Sequence, residues 1–241
     1  MQAGGDIKAV WATMLLDVQI MAQHNEPSQW HTPLARPGCW PTPDALEVGC
    51  TRQGTLGRNF TEARSHFGLW SVTSSPLILG VDLRDKDAVD FAWPIITNKK
   101  ALAVNRAPVV AGVTGRRVGT DGYWAGGRVN NITRQIWAKN VTAASVAVLF
   151  VNAGDTPRTV TVGFDGMVPC MRGTDCAANP ITPALCNVCR SPATSASERG
   201  LKMTVEDIWT GKMLPTVESG GELTVGPLAG HDSAFLLITK P

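Results

Sequence analysis

The fold class of the first half of the chain is decided by one stretch, Ser75-Pro76-Leu77-Ile78-Leu79-Gly80-Val81-Asp82-Leu83-Arg84. Its compact apolar run, residues 76–81, predicts a β-strand that is buried on both faces. Apolar residues at helical spacing predict a helix on either side of this run, over 61–73 and over 87–107, the second interrupted at Pro94. Alternating strands and helices are typical of an α/β fold with a parallel sheet.

The same reasoning extends to both ends of the chain. Apolar residues at helical spacing predict a first helix over 7–22, and a short buried strand is predicted within 38–48. From Pro108 onward the pattern changes to alternating strands and turns, which indicates an antiparallel β domain, a sandwich, over 108–241 after a first domain over 1–107. The strands of this second domain are predicted at 133–138, 145–151, 158–164, 201–209, 221–225 and 233–239.

Composition and charge exclude several classes of partner. The chain has 241 residues and a formal net charge of +2, and no basic run exceeds two residues, so no nucleic-acid partner is predicted. No apolar run approaches the roughly 20 residues of a membrane span, so no membrane partner is predicted either. Residues 1–6 lack the basic and apolar regions of a signal peptide, so for a secreted protein we expect the signal upstream.

The cysteines and glycosylation motifs favour a secreted protein. Cys39 and Cys50 bracket the segment 40–49, and the other four cysteines crowd into a loop at 170–189 that is rich in Gly, Pro and Asn. Such a loop favours disulfides, and a zinc site is the alternative because its last two cysteines form a C-x-x-C pair. These four are Cys170, Cys176, Cys186 and Cys189. Three N-x-[ST] sequons begin at Asn59, Asn131 and Asn140.

Two aspartates are the candidate site residues. Asp6 lies in the turn Gly5-Asp6-Ile7 before the first predicted helix, where α/β barrels place catalytic groups. From the residues alone, the alternative is that Asp6 caps that helix. Asp44 follows Trp40 in the loop Trp40-Pro41-Thr42-Pro43-Asp44-Ala45-Leu46, and alone it would be an ordinary loop residue beside a core tryptophan.

These stretches together with His66-Phe67-Gly68-Leu69-Trp70 resemble the C-terminal part of glycoside hydrolase family 27, the melibiase-like α-galactosidases. The resemblance implies the C-terminal portion of a (β/α)8 barrel followed by an antiparallel β-sandwich domain. It implies that Asp6 is the proton donor (acid/base) and that Asp44 lines the galactose pocket. Trp40 would lie beside Asp44 as packing or as an apolar platform for the sugar. No cofactor and no metal are implied.

The implied function is retaining hydrolysis of terminal α-D-galactosyl residues from an oligosaccharide or glycoconjugate. The setting would be secreted or lysosomal/vacuolar, and the full-length enzyme would be a possible homodimer. The family's nucleophile lies in a Lys-Tyr-Asp stretch that this chain does not contain, so we expect an N-terminally incomplete enzyme that is inactive alone. The alternatives are an α-N-acetylgalactosaminidase and a non-catalytic carbohydrate-binding or interaction protein derived from the family.

Two geometric expectations follow from the resemblance. Asp6 and Asp44 should face one shared cleft on the rim where parallel strands end. Apolar faces of Trp11, Ile78 and Val81 should be exposed, because a complete barrel would cover them.

Overall fold

A computed structural model describes residues 4–25, 40–51, 54–107, 114–120, 123–125, 128–130, 132–142, 144–163, 200–219 and 221–241. The first half of this part of the chain is helical: α1 (Trp11–Asn25), α2 (Phe60–Val72), α3 (Lys86–Ile96) and α4 (Lys99–Arg106). None of these helices combines the length and apolarity that a membrane span needs. The loop at 170–189, Cys39 and Asn131 lie outside the described residues.

The second half is built from strands. They are β1 (Arg116–Thr120), β2 (Tyr123–Ala125), β3 (Arg128–Asn130), β4 (Arg134–Asn140), β5 (Ser145–Asn152), β6 (Arg158–Gly163), β7 (Lys202–Asp207), β8 (Met213–Glu218), β9 (Glu222–Leu228) and β10 (Ser233–Thr239). All six predicted strands are present within a few residues of their expected bounds. β1, β2, β3 and β8 were not predicted. The change from helices to strands falls between Arg106 and Arg116, and a domain boundary at 107/108 stays a prediction.

The first helix begins four residues later than the periodicity predicts. Lys8 and Ala9 have φ values of 53° and 49°, in the left-handed region, so they cannot belong to a right-handed helix. α1 therefore starts at Trp11 rather than at Ile7. Asp6 lies five residues before the helix and is not its cap.

The predicted interruption at Pro94 is wrong. Pro94 lies inside α3, which continues to Ile96, so the missing amide of Pro94 does not end the helix. The break comes at Asn98, whose side-chain oxygen accepts hydrogen bonds from Lys100 N at 3.1 Å and Ala101 N at 3.0 Å. This side chain satisfies the first free amides of α4 and fixes where that helix begins.

The run at 76–81 is not a strand buried on both faces. Ile78 is 54% exposed and Leu79 is 43% exposed, and in the described residues the run has a single parallel bridge, from Leu79 to Leu46. Leu46 N donates to Ile78 O at 2.7 Å, and Gly80 N donates to Leu46 O at 2.9 Å. The apolar run indicated the parallel direction correctly. Burial on both faces would require a covering layer and a second paired strand.

The strands form two layers. A six-stranded antiparallel sheet has the order β1-β4-β5-β10-β7-β8, and β6 pairs with β9 in a separate two-stranded sheet, as β2 does with β3. Apolar side chains from one face of the large sheet and from the β6–β9 ladder form a core of their own. Its members include Ile136, Val148, Phe150, Val205, Leu236, Val160, Leu223 and Val225.

The opposite face of the large sheet packs against the helices. Trp137, Leu149 and Phe235 on this face share one core with Phe67 and Trp70 of α2, so the two halves of the chain are not packed separately. Gly68 of α2 lies against this face of the sheet. A Cβ built there would lie 3.0 Å from Leu149 Cδ1 and 3.2 Å from Trp209 Cζ2.

The turn between β9 and β10 is held by the helices. The Trp11 ring stacks on the His231 ring with centroids 4.5 Å apart, and Trp11 Nε1 donates to Ala153 O at 3.2 Å. His231 Nδ1 lies 2.6 Å from Glu62 Oε1. Trp11 is therefore buried, not exposed as expected.

The other two exposure expectations have different outcomes. Ile78 is exposed, which confirms the expectation for that side chain. Val81 is buried because its Cγ2 packs against the backbone at Gly49, where an added Cβ would lie 3.0 Å away.

Gly68→Val should lower the free energy of unfolding by about 1–3 kcal/mol, because the added methyl groups have no room between α2 and the sheet. Urea unfolding followed by tryptophan fluorescence measures the change. Gly163→Val is the matched control, since a Cβ at Gly163 would meet no atom within 4 Å. Equal effects of the two substitutions would contradict the close packing of α2.

Candidate active site

The backbone around Asp6 is held on both sides by carboxylates. Gly5 N donates to Asp17 Oδ1 at 3.1 Å, and Ile7 N donates to Asp44 Oδ2 at 3.1 Å. The side chain of Asp6 itself is exposed to solvent. The turn therefore presents one accessible carboxylate, Asp6, whose position is set through its neighbours' amides.

Asp44 is fixed by the loop that carries it and by α2. Its Oδ1 accepts from Ala45 N at 2.7 Å, and its carbonyl oxygen accepts from Trp70 Nε1 at 3.0 Å. Its φ of 94° lies in the left-handed region, which is strained for a residue with a side chain. The structure thus brings Asp44 to the Asp6 turn, and both of its carboxylate oxygens accept backbone amides.

His66 fixes the next part of the same loop. Its Nε2 accepts a hydrogen bond from Glu47 N at 3.1 Å. Burial lowers the pKa of His66 to about 3, so the ring is neutral and carries its proton on Nδ1. The ring also meets the Trp70 ring edge-on, with centroids 4.1 Å apart. His66 and Trp70 therefore attach the loop at 44–47 to α2.

Asp17 was missed by the sequence analysis. It is only 2% exposed, and burial raises its pKa to about 7; the Gly5 amide opposes this shift, and the charges of Asp44 and Asp6 add to it. The available signal was an acidic residue in the apolar stripe of α1, between Met14 and Val18. A buried carboxyl on such a stripe requires a polar partner.

An open cleft of about 540 Å³ lies beside the Asp6 turn, and Lys8, two residues after Asp6, is one of its lining residues. It is lined by Lys8, Ala9, Glu47, Cys50, Thr51, Gly80, Asp82 and Asp85. Burial raises the pKa of Glu47; a hydrogen bond from Cys50 opposes this shift, and the charge of Asp44 adds to it. Asp6 and Asp44 are not among the described lining residues, so the shared cleft of both aspartates stays a prediction.

Trp40 and Asn59 are two further predicted residues within the described ranges. Trp40 is half-buried, and its role as a sugar platform stays a prediction. Across the described ranges, no three His, Cys, Asp or Glu side chains are grouped so that they could hold a metal ion. Asn59 caps α2, with its side-chain oxygen accepting from Thr61 N at 3.0 Å and Glu62 N at 3.3 Å.

Two family models match the chain in succession. The model of α-galactosidase A matches residues 2–107, and the model of the α-galactosidase C-terminal β-sandwich domain matches residues 132–238. These matches confirm the predicted fold class, part of a (β/α)8 barrel followed by an antiparallel β-sandwich.

Curated relatives point in the same direction. The chain is 33% identical to α-galactosidase 2 of Arabidopsis thaliana over 65% of this chain and 33% of that protein. It is 31% identical to α-N-acetylgalactosaminidase of Mus musculus over 47% of this chain and 24% of that protein. The chain spans about a quarter to a third of the length of these two relatives.

Solved structures share the fold. The α-galactosidase of Saccharomyces cerevisiae aligns with a TM-score of 0.66 at 14% identity, over 95% of this chain and 52% of that one. The β-L-arabinopyranosidase of Geobacillus stearothermophilus aligns with a TM-score of 0.66 at 19% identity, over 100% of this chain and 45% of that one. At these identities the likeness concerns the fold alone.

The buried carboxyl of Asp17 predicts a pH-dependent stability. Between about pH 4 and about pH 7 the folded chain holds a proton on Asp17 that the unfolded chain has released, so stability falls as pH rises through this window. Asp17→Asn cannot titrate. The stability of this variant minus that of the unsubstituted chain, measured as the free energy of unfolding, should be larger at about pH 8 than at about pH 4.5. The expected difference is about 1–3 kcal/mol.

Urea unfolding at the two pH values measures this difference, which cancels any effect of the substitution that does not depend on pH. Asp87→Asn, at an exposed position in the first turn of α3, is the control and should change by less than about 0.5 kcal/mol between them. A pH-independent effect of Asp17→Asn would show that Asp17 is not held protonated in the folded chain.

Proposed function

The chain belongs to glycoside hydrolase family 27, the α-galactosidase A family, and from this premise we propose that it supplies the acid/base half of a retaining α-galactosidase site. The substrate would be a terminal α-D-galactosyl residue of an oligosaccharide or glycoconjugate. The observation that carries the proposal is the Asp6 turn. It lies within the segment matched by the barrel model, and its exposed carboxylate is fixed through the amides on either side.

Asp6 is suited to proton transfer because it is the accessible member of a group of three carboxylates. Asp44 and Asp17 accept hydrogen bonds from backbone amides, and Asp17 is buried. In the first step Asp6 would donate its proton to the glycosidic oxygen as the bond to the anomeric carbon breaks. In the second step it would take a proton from the water that releases the sugar.

Retention requires a second carboxylate about 5–5.5 Å from the first, which attacks the anomeric carbon. The resemblance assigns this role to a Lys-Tyr-Asp stretch rather than to Asp44, both of whose oxygens accept backbone amides. We infer that the nucleophile comes from the part of the barrel that the longer relatives possess and that this chain does not match. Asp44 holds Ile7 and remains the candidate for lining the galactose pocket, and Trp40 remains the candidate for contact with an apolar face of the sugar.

The sugar at the reacting position has one specific alternative. Relatives in Mus musculus and Gallus gallus are α-N-acetylgalactosaminidases, so N-acetylgalactosamine is the second candidate. Parallel assays with aryl α-galactoside and aryl α-N-acetylgalactosaminide distinguish them.

A secretory setting belongs to the same proposal. The cysteines at 170–189 and the sequons support disulfides, glycosylation and a secreted or lysosomal/vacuolar location. Mass spectrometry of the protein from a secretory host, before and after reduction, tests the disulfides, and one bound zinc with four reactive thiols after chelation would contradict them.

The 241-residue chain alone should hydrolyse no aryl α-galactoside, because a double displacement cannot start without a nucleophile. We expect turnover when the chain is fused to the C-terminal end of the barrel segment that, in the Arabidopsis thaliana relative, precedes the part matched by this chain. Asp6→Asn should then lower kcat/KM by about 10²–10⁴ for a substrate with a poor leaving group, and far less for a dinitrophenyl galactoside, whose departure needs no proton.

The matched control is Asp82→Asn, which changes an exposed carboxylate on the cleft and should cost less than about tenfold. Equal losses for both leaving groups would contradict the acid role of Asp6. Turnover by the 241-residue chain alone would contradict the inference about the nucleophile. A joined protein that binds galactosides without turnover would favour the non-catalytic alternative.

A further inference from the structure

The carboxyl group of Asp17 is buried in the apolar stripe of α1. It lies on α1 with its residue surface only 2% exposed, and one oxygen, Oδ1, accepts a hydrogen bond from Gly5 N at 3.1 Å. The other oxygen, Oδ2, is buried without a hydrogen-bond partner in the described part of the chain. Such a group is costly to bury, and an apolar side chain of similar size would suit the α1 stripe better.

The backbone before Asp6 is shaped to receive this carboxyl. Gly4 has a φ of 133°, and a Cβ built on it would lie 2.3 Å from Asp17 Oδ1 and 3.0 Å from Asp17 Cγ. No residue with a side chain fits there unless Asp17 moves. Gly4, Gly5 and Asp17 therefore form one unit, in which the carboxyl packs directly on the peptide between Gly4 and Gly5.

The contact with Gly5 complements the contact that Asp44 makes on the other side. Asp17 holds the amide before Asp6, and Asp44 holds the amide after it, both at 3.1 Å. Lys8 and Ala9, which follow, are in the left-handed region, a conformation that persists only where surrounding contacts enforce it. A turn held at one amide alone could relax this strain by rotating Asp6.

We propose that Asp17 is a positioning residue of the active site, which fixes the direction of the Asp6 carboxylate by holding the amide of Gly5. The proposal rests on the proposed acid/base role of Asp6. Asp17 itself touches no substrate. Its effect on turnover would pass through Asp6, so its loss should lower kcat and leave KM nearly unchanged.

The first test uses the 241-residue chain and needs no activity. Amide hydrogen exchange, followed by NMR, should show Gly5 protection reduced about tenfold or more in Asp17→Leu and retained in Asp17→Asn, whose carbonyl oxygen still accepts the bond. Asp85→Ala is the control. It removes the acceptor for Ala88 N, at 3.1 Å, and should change protection at Ala88 but not at Gly5.

A matched glycine pair tests the contact without changing Asp17. Gly4→Ala places a methyl group on the Asp17 carboxyl and should also release the Gly5 amide, whereas Gly5→Ala meets no atom within 4 Å and should leave the Asp17 carboxyl in place. This pair decides the matter if Asp17→Leu does not fold. Unchanged Gly5 protection in Gly4→Ala would overturn the proposal.

The second test measures turnover in the joined enzyme. Asp17→Leu should lower kcat about tenfold or more with KM changed less than about threefold, and Asp17→Asn should restore most of kcat. Loss of Gly5 protection without loss of kcat would overturn the positioning role. If Asp6→Asn left turnover intact, the proposed function would fail instead, and the exchange data would still decide whether Asp17 holds the turn.

Discussion

The close packing of α2 against the large sheet is the constraint on which the rest of the structure depends. Gly68 allows the helix to approach Leu149 and Trp209 without an intervening side chain. The other side of α2 holds the loop at 44–47, through Trp70 Nε1 on Asp44 O and His66 Nε2 on Glu47 N. Because Asp44 in turn holds the amide of Ile7, the position of Asp6 is fixed by contacts that start in the β-sandwich. This linkage gives a physical reason for the helical half of the chain and the β domain to share one core.

Three neighbouring carboxylates of the candidate site differ in hydrogen bonding, burial and exposure to solvent. Both oxygens of Asp44 accept backbone amides, and burial raises the pKa of Asp17 to about 7. Asp6 is the one exposed to solvent. The positive φ angles of Lys8, Ala9 and Asp44 show that the backbone around the turn is strained, as is common where a functional group must be aimed. The α-galactosidase chemistry that we propose needs this arrangement, since an acid/base group acts only when it points at the glycosidic oxygen.

The sequence predicted those helices and strands whose apolar residues follow a clear helical or strand period. β10 was predicted over 233–239 because its apolar run is bounded by turn residues, and α2 because its apolar residues follow the helical period. β8 was missed because most of its side chains are exposed, which leaves no alternation to detect. Asp6 and Asp44 are candidates through a family resemblance. Asp17 was missed although an acidic residue in the apolar stripe of α1 was a visible signal, because its partner is a backbone amide twelve residues away and the sequence does not show that contact. The break in the helix was predicted at Pro94 but lies at Asn98, because the side chain of Asn98 caps the start of α4.

The most direct test of the acid/base assignment is the anomeric configuration of the product formed by an Asp6→Gly variant of the joined enzyme with azide and dinitrophenyl α-galactoside. This substrate needs no proton to leave, so the galactosyl-enzyme should form and, without a base to activate water, react with azide. We expect α-galactosyl azide, since azide would attack the face that water normally attacks. Formation of β-galactosyl azide would show that Asp6 occupies the nucleophile's place, and the absence of any azide product would contradict its role as acid/base.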